Sequence, residues 1–434
     1  MTSDLTMTAA LDRQLVWDRG DSRRYLRVRV TAPPAATPVA RPPMNLGLAL
    51  DTSGSMSGGR IDAARRAAIG ALDGLGAEDR LTLVSFASDA TVRLAGVEMD
   101  EAGRRDARRV IAAMEAGGNT NLSEGWFQAV IAATESPSRT GQATRIVILS
   151  DGHANAGVVG ASELARHAQE LLARGVTTSA LGIGDGYDEQ LLGSIAEAGG
   201  GRLLDAEECD EIETVLAAEV DASAQTAADA LVLTLDLPPG VMAEALGATT
   251  ARRARNGVEI PMGALLRGKP RDVFIALTLP PGRPGEQLKL ALTLHGRDAA
   301  TGAAMAPLAA HARLTFAEAR ENTDQPRDAD LSLGAAGAWM GQILRVMAQL
   351  NAREPAAARE YAETQSRYFH RYVEGLPGGA ELLEQMALLR ARATREWDAR
   401  LSKEMHYLAQ RNFNSVEDFR GPDKESWAER LRRS

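Results

Sequence analysis

The hydrophobic period changes twice along this chain. Between Met44 and about Ala222, short apolar runs alternate with stretches of helical spacing. Residues 46–50, 81–86, 146–149 and 177–183 predict buried strands, and 60–75, 101–116, 123–134, 162–174 and 208–222 predict helices. Alternation of this kind predicts an open α/β unit: a doubly wound, mainly parallel, Rossmann-like sheet covered by helices on both faces. Ligands of such sheets bind beyond the carboxyl ends of the strands.

The flanks follow other rules. Residues 14–17 and 25–30 alternate apolar and polar positions around turn chemistry at Arg19-Gly20-Asp21-Ser22, which predicts an opening hairpin within 1–32. Two strands alone are marginal, so the hairpin must join a larger sheet. A proline-rich connector, 33–43, leads into the α/β unit at 44–223. After Ala230 the segments 231–235, 273–278 and 288–294 are punctuated by Pro238-Pro239-Gly240 and Pro280-Pro281-Gly282, predicting a β-sandwich over 229–320. Assigning the opening hairpin to it leaves the α/β unit inserted in or next to the sandwich. A helical region follows at 328–411, as 338–350, 356–376 and 380–410, the last striped by Met386, Leu389, Ala393, Trp397, Leu401, Met405 and Leu408. A polar tail, 412–434, ends the sequence.

The chemistry gathers where the α/β strands end. Directly behind 46–50 stands Asp51-Thr52-Ser53-Gly54-Ser55, and two further loops, Gly118-Asn119-Thr120-Asn121 and Ser150-Asp151-Gly152, carry small oxygen-bearing residues. Hard cations such as Mg²⁺ take oxygen ligands in near-octahedral geometry. Helix capping would explain Asp51, Ser53 and Ser55 alone, but not Thr120 and Asp151 in other loops. On these residues the chain resembles the von Willebrand factor type A family, whose metal-ion-dependent adhesion site reads D-x-S-x-S, then a Thr, then an Asp before Gly. The resemblance implies that Asp51, Ser53, Ser55, Thr120 and Asp151 bind Mg²⁺, or Mn²⁺ or Ca²⁺. The two serines would bind directly, and Thr120 and the aspartates directly or through water. One position would stay open for a partner's Asp or Glu. The resemblance also implies hybrid-type packing beside the sandwich, and a shift of the final helix, 208–222, when a partner binds.

Other readings of the same stretches lack their residues. A haloacid-dehalogenase-type phosphatase needs an aspartate where Ser53 stands; no G-x-x-x-x-G-K-[ST] occurs; and Gly182-Ile183-Gly184-Asp185-Gly186 is not spaced as G-x-G-x-x-G. The six histidines, His153 at the rim of the site among them, show no H-E-x-x-H pattern. Arg19-Gly20-Asp21 spells an integrin-recognised tripeptide, but a turn explains it. Cys209 stands among Glu207, Glu208 and Asp210, where a thiolate is disfavoured.

Composition narrows the partners. At 434 residues two or three domains are expected, and a formal charge of −9 without a basic block argues against nucleic acid and anionic membrane. The single cysteine and the absence of a signal or spanning segment predict a cytoplasmic location. The function expected is a metal-dependent protein-interaction module, not an enzyme. The alternative, implied by cytoplasmic bacterial proteins of the resembling family, is an assembly or regulatory factor for a MoxR-type AAA+ ATPase, or for a kinase or phosphatase of a stress-resistance cluster. A Mg²⁺-dependent phosphoesterase has the least support, because no general base or nucleophile accompanies the metal motif.

Overall fold

The computed structural model describes residues 5–34, 43–135, 143–151, 154–184, 186–206, 211–247, 251–299, 301–351, 353–393 and 397. Most of the proline-rich connector, His153, Asp185, Cys209, His406, much of the final predicted helix and the polar tail lie outside these residues.

Three strands open the chain: β1 (Thr6–Leu11), β2 (Leu15–Trp17) and β3 (Ser22–Thr31). The α/β unit follows as β4 (Met44–Asp51), α1 (Gly59–Ala71), β5 (Arg80–Phe86), β6 (Ala90–Glu98), α2 (Glu101–Ala112), α3 (Leu122–Glu135), β7 (Ala143–Ser150), α4 (Ala161–Ala173), β8 (Val176–Ile183), α5 (Glu189–Ala198), β9 (Gly200–Ala206) and α6 (Glu211–Ala224). Its sheet runs β6-β5-β4-β7-β8-β9, with β6 the antiparallel edge and the other strands parallel. Every residue of β4 is buried, which is why that strand reads as a continuous apolar run. Leu46, Leu48 and Leu50 pack toward α1, α2 and α6, and Ala49 packs with Trp126 of α3, Leu164 of α4 and Leu192 of α5 on the other face. Gly125 of α3 lies so close to Phe86 that a Cβ there would meet the ring at 2.3 Å, so this glycine sets the distance between helix and sheet.

After α6 the chain enters β10 (Thr226–Asp236), then β11 (Met242–Leu246), β12 (Arg252–Ala254), β13 (Gly257–Leu266), β14 (Arg271–Leu279), β15 (Gln287–Asp298) and β16 (Leu308–Ala317). These strands form two sheets with the opening ones, ordered β1-β3-β14-β11 and β12-β13-β10-β15-β16-β2. Leu26, Val28, Val30, Leu233, Leu235, Leu277, Leu292 and Leu314 fill the core between them.

The opening segment is not the predicted hairpin. β2 pairs parallel with β16, while β3 pairs antiparallel with β1 and β14. The turn at Gly20 (φ +93°) and Asp21 (φ +52°), seated against Pro281, carries the chain from one sheet to the other. Val16 and Leu26 can then both point into the shared core, whereas a flat hairpin would bury them from one side only.

Helices α7 (Ala319–Asp324), α8 (Ala329–Asn351), α9 (Pro355–Val373) and α10 (Gly379–Arg392) complete the described chain. α8 begins nine residues before the predicted 338–350 helix. Gly334 and Gly337 suggest a loop, but Gly334 lets the Phe274 ring approach to within 2.4 Å of where a Cβ would stand. Asp328 caps α8 by accepting the Leu331 N–H at 2.9 Å. Trp339, Met340 and Leu344 of α8 cover Tyr25 and Ala276 on the outer face of the four-stranded sheet. Among the described residues no helix is long and apolar enough to cross a membrane.

The α/β unit is tied to the two-sheet unit by a buried ion pair. Arg145, near the start of β7, holds Asp229 of β10 at 3.1 Å and the Thr226 hydroxyl at 2.9 Å, with side-chain exposures of 8% for Arg145 and 15% for Asp229. Arg145→Ala strands a carboxylate in this junction, and we expect a loss of about 3 kcal/mol. Adding Asp229→Leu should recover most of that loss, as read from thermal or denaturant unfolding of the single and double variants.

Candidate metal centre

The strand order turns at β4: β5 and β6 lie to one side, and β7, β8 and β9 to the other. A crevice opens beyond the carboxyl ends of β4 and β7 at such a switch point. Leu50 stands opposite Leu149, so the last residues of the two strands, Asp51 and Ser150, and Asp151 directly after, emerge side by side.

Four of the five predicted residues form one chain of polar contacts. Asp51 is fully buried; it accepts the Ser53 N–H at 2.8 Å through Oδ1 and the Ser150 hydroxyl at 2.5 Å through Oδ2. The Ser53 and Ser55 hydroxyls are 3.0 Å apart, and Ser55 donates to Asp151 Oδ1 at 2.7 Å. The 3₁₀ turn Gly54–Met56 that follows β4 lifts Ser55 toward solvent while Ser53 stays buried.

Thr120 comes from the loop ahead of α3 and reaches the crevice through backbone bonds. The Gly117 N–H donates to the Thr52 carbonyl at 2.7 Å, and the Gly54 N–H donates to the Gly118 carbonyl at 2.9 Å. Gly118 adopts φ +88°, and a Cβ there would stand 3.0 Å from the Ser88 hydroxyl, so glycine is required where the loops meet. Thr120 itself is clasped by Asn155, whose side-chain oxygen accepts the Thr120 N–H at 3.0 Å and whose N–H donates to the Thr120 carbonyl at 3.1 Å. Among the described residues no hydrogen bond joins the Thr120 hydroxyl to the other four side chains.

Three contributors are not among the five predicted ligands. Ser150 stands in one of the predicted oxygen-bearing loops, Asn155 was signalled only by being a loop amide, and Arg60 by nothing local. Arg60 donates to Asp151 Oδ2 at 2.8 Å.

Burial pushes Asp51 above its ordinary 3.8; the bonds from Ser150 and Ser53 oppose the rise, and the nearby negative charge of Asp151 adds to it. Among the described residues no group of three or more His, Cys, Asp or Glu side chains is placed to hold a metal. A cation here would therefore rest on two carboxylates and on hydroxyls. That donor set suits a hard ion and offers nothing to a soft one.

Residues 44–205 match the family model described as the von Willebrand factor type A domain. The α/β unit has the von Willebrand factor type A fold. The chain is 30% identical over 165 residues to the inter-alpha-trypsin inhibitor heavy chain H4 of Sus scrofa, an alignment covering 37% of this chain and 18% of that protein. An uncharacterized Synechocystis protein is 28% identical over 204 residues, covering 47% of this chain and 46% of that one. The chain thus spans less than half the length of these curated relatives. Among solved structures, a von Willebrand factor type A protein from Catenulispora acidiphila superposes with a TM-score of 0.71 at 16% identity, covering 94% of this chain and 96% of that one. The ArnB paralog VWA2 from Sulfolobus acidocaldarius superposes at 0.61 and 17% identity, covering 96% and 100%. At these identities the likeness is one of fold, and it extends well beyond the type A domain.

The raised Asp51 titration has a signed consequence for the metal-free protein. Below its ordinary 3.8 the group is protonated in both folded and unfolded chains and contributes no pH dependence. As pH rises through the interval up to its higher folded-state value, the folded protein must release a proton it holds more tightly than the unfolded chain does. Stability therefore falls across that interval and stays lower above it. Asp51→Asn, which can keep the Ser53 and Ser150 contacts, should melt at or above wild type near neutral pH in chelator. The gap between the two should close in acid, as followed by melting scans across pH.

Proposed function

We propose that the crevice holds one Mg²⁺, replaceable by Mn²⁺ or Ca²⁺, on Asp51, Ser53, Ser55, Thr120 and Asp151, and that the ion receives an Asp or Glu of a protein partner. The observation that carries this reading is the oxygen spacing. With Mg–O bonds of about 2.1 Å, neighbouring ligands of an octahedron stand roughly 3 Å apart. The Ser53–Ser55 and Ser55–Asp151 separations of 3.0 and 2.7 Å are close to that edge.

Two carboxylates formally balance a dication, but the Arg60 guanidinium on Asp151 leaves a local excess of one positive charge, which a partner carboxylate would offset. Ser55 is exposed, which puts the open side of the cradle toward solvent. The groups in contact with the two carboxylates, Ser53, Ser55, Ser150 and Arg60, are hydroxyls, one amide and a guanidinium. None of them is a general base aligned on a nucleophile, and binding suits the set better than turnover. von Willebrand factor type A domains are in general protein-interaction modules, and we place this one among them, working in the cytoplasm. A MoxR-type AAA+ ATPase, or a kinase or phosphatase of a stress-resistance cluster, is a partner within the same reading. Affinity capture in Mg²⁺ against EDTA tests for it.

Titration calorimetry should find one Mn²⁺ site in the wild type and none in Asp51→Ala or Asp151→Ala, with the fold retained in both by circular dichroism. Unchanged Mn²⁺ affinity in the two variants would remove the assignment.

A further inference from the structure

Arg60 places a permanent positive charge on the carboxylate that the metal would use. It is the second residue of α1, and one guanidinium nitrogen, Nη1, donates to Asp151 Oδ2 at 2.8 Å and to the Ser55 carbonyl at 3.3 Å. The Asp151 side chain is fully buried and that of Arg60 is 41% exposed, so the guanidinium stands between the carboxylate and solvent. A third segment shapes this seat. Gly184, just past β8 at φ +69°, has no side chain, and a Cβ there would stand 3.6 Å from Nη2 and 3.7 Å from Nε.

We infer that Arg60 is a tethered counter-ion that competes with the divalent cation for Asp151. The inference rests on the metal reading above and adds a residue that sets its affinity. An unpaired carboxylate in that position is costly. Arg60 satisfies it through the Nη1–Oδ2 contact, and an arginine cannot give up that charge by losing a proton. An arriving dication meets the same carboxylate with a positive charge already on it. The metal would take Oδ1, the oxygen that faces Ser55, while Arg60 holds Oδ2, so two cations would share one carboxylate and repel across it; the exposure and long side chain of Arg60 let the guanidinium withdraw. The site then loads only above a cation concentration that Arg60 raises.

The test is a Mn²⁺ titration of the full chain, by calorimetry or by the loss of the free-ion paramagnetic resonance signal, for wild type, Arg60→Gln and Arg60→Lys. Arg60→Gln removes the charge and should bind Mn²⁺ on the order of tenfold more tightly. Arg60→Lys keeps the charge and should stay near wild type. The gain in Arg60→Gln should shrink at high ionic strength, because the guanidinium is partly exposed. In EDTA, Arg60→Gln should melt below wild type, and saturating Mn²⁺ should erase the difference. Affinity in Arg60→Gln equal to or weaker than wild type overturns this inference and leaves the metal site standing. No Mn²⁺ binding in any of the three proteins overturns the metal site and the inference together.

Discussion

Two carboxylates, Asp51 and Asp151, are held out of water at adjacent strand ends. A charge withdrawn from solvent must be paired, hydrogen-bonded or neutralised, and the surrounding structure answers that demand. Ser150 and the Ser53 N–H hold Asp51, while Ser55 and Arg60 hold Asp151. The loops that supply these groups are fixed to one another by backbone bonds, through Gly117 to Thr52 and Gly54 to Gly118. Few ways remain for the crevice to rearrange without uncovering a charge.

The same strand that presents Asp151 also anchors the domain. β7 ends at Ser150, and near its beginning Arg145 reaches across to Asp229 and Thr226 of the two-sheet unit. α6 runs into β10 with Gln225 alone between them. On that helix the buried Glu219 accepts the Ser179 hydroxyl at 2.7 Å and pairs with Arg202. Displacing α6 along its axis would have to break this buried pair, so any coupling between the crevice and the two-sheet unit works against a defined polar lock.

What was legible depended on burial. β4, β5, β7 and β8 are covered on both faces and read as apolar runs, whereas β6 is a half-exposed edge and β9 begins with two glycines, and neither was expected. β1, β11 and β12 carry Ala, Thr, Arg or Glu at most positions and give little alternation. The opening segment was misread for another reason. Alternation says which side chains face a core but not which sheet will pair with the strand. The turn at Gly20-Asp21 is equally good chemistry for closing a hairpin and for passing between sheets.

The sequence by itself determined the donor chemistry. Asp51, Ser53 and Ser55 follow an apolar strand at a spacing that places them together in any fold that buries that strand. Strand order decided the rest. Only the adjacency of β4 and β7 brings Asp151 to Ser55 and Ser150 to Asp51, and only the packing of α1 beside the loop after β8 seats Arg60 over Gly184. Local spacing governs contacts within a few residues along the backbone. Contacts such as Ser55 to Asp151, 96 residues apart, depend on which strands become neighbours, and that is settled by the packing of the whole sheet.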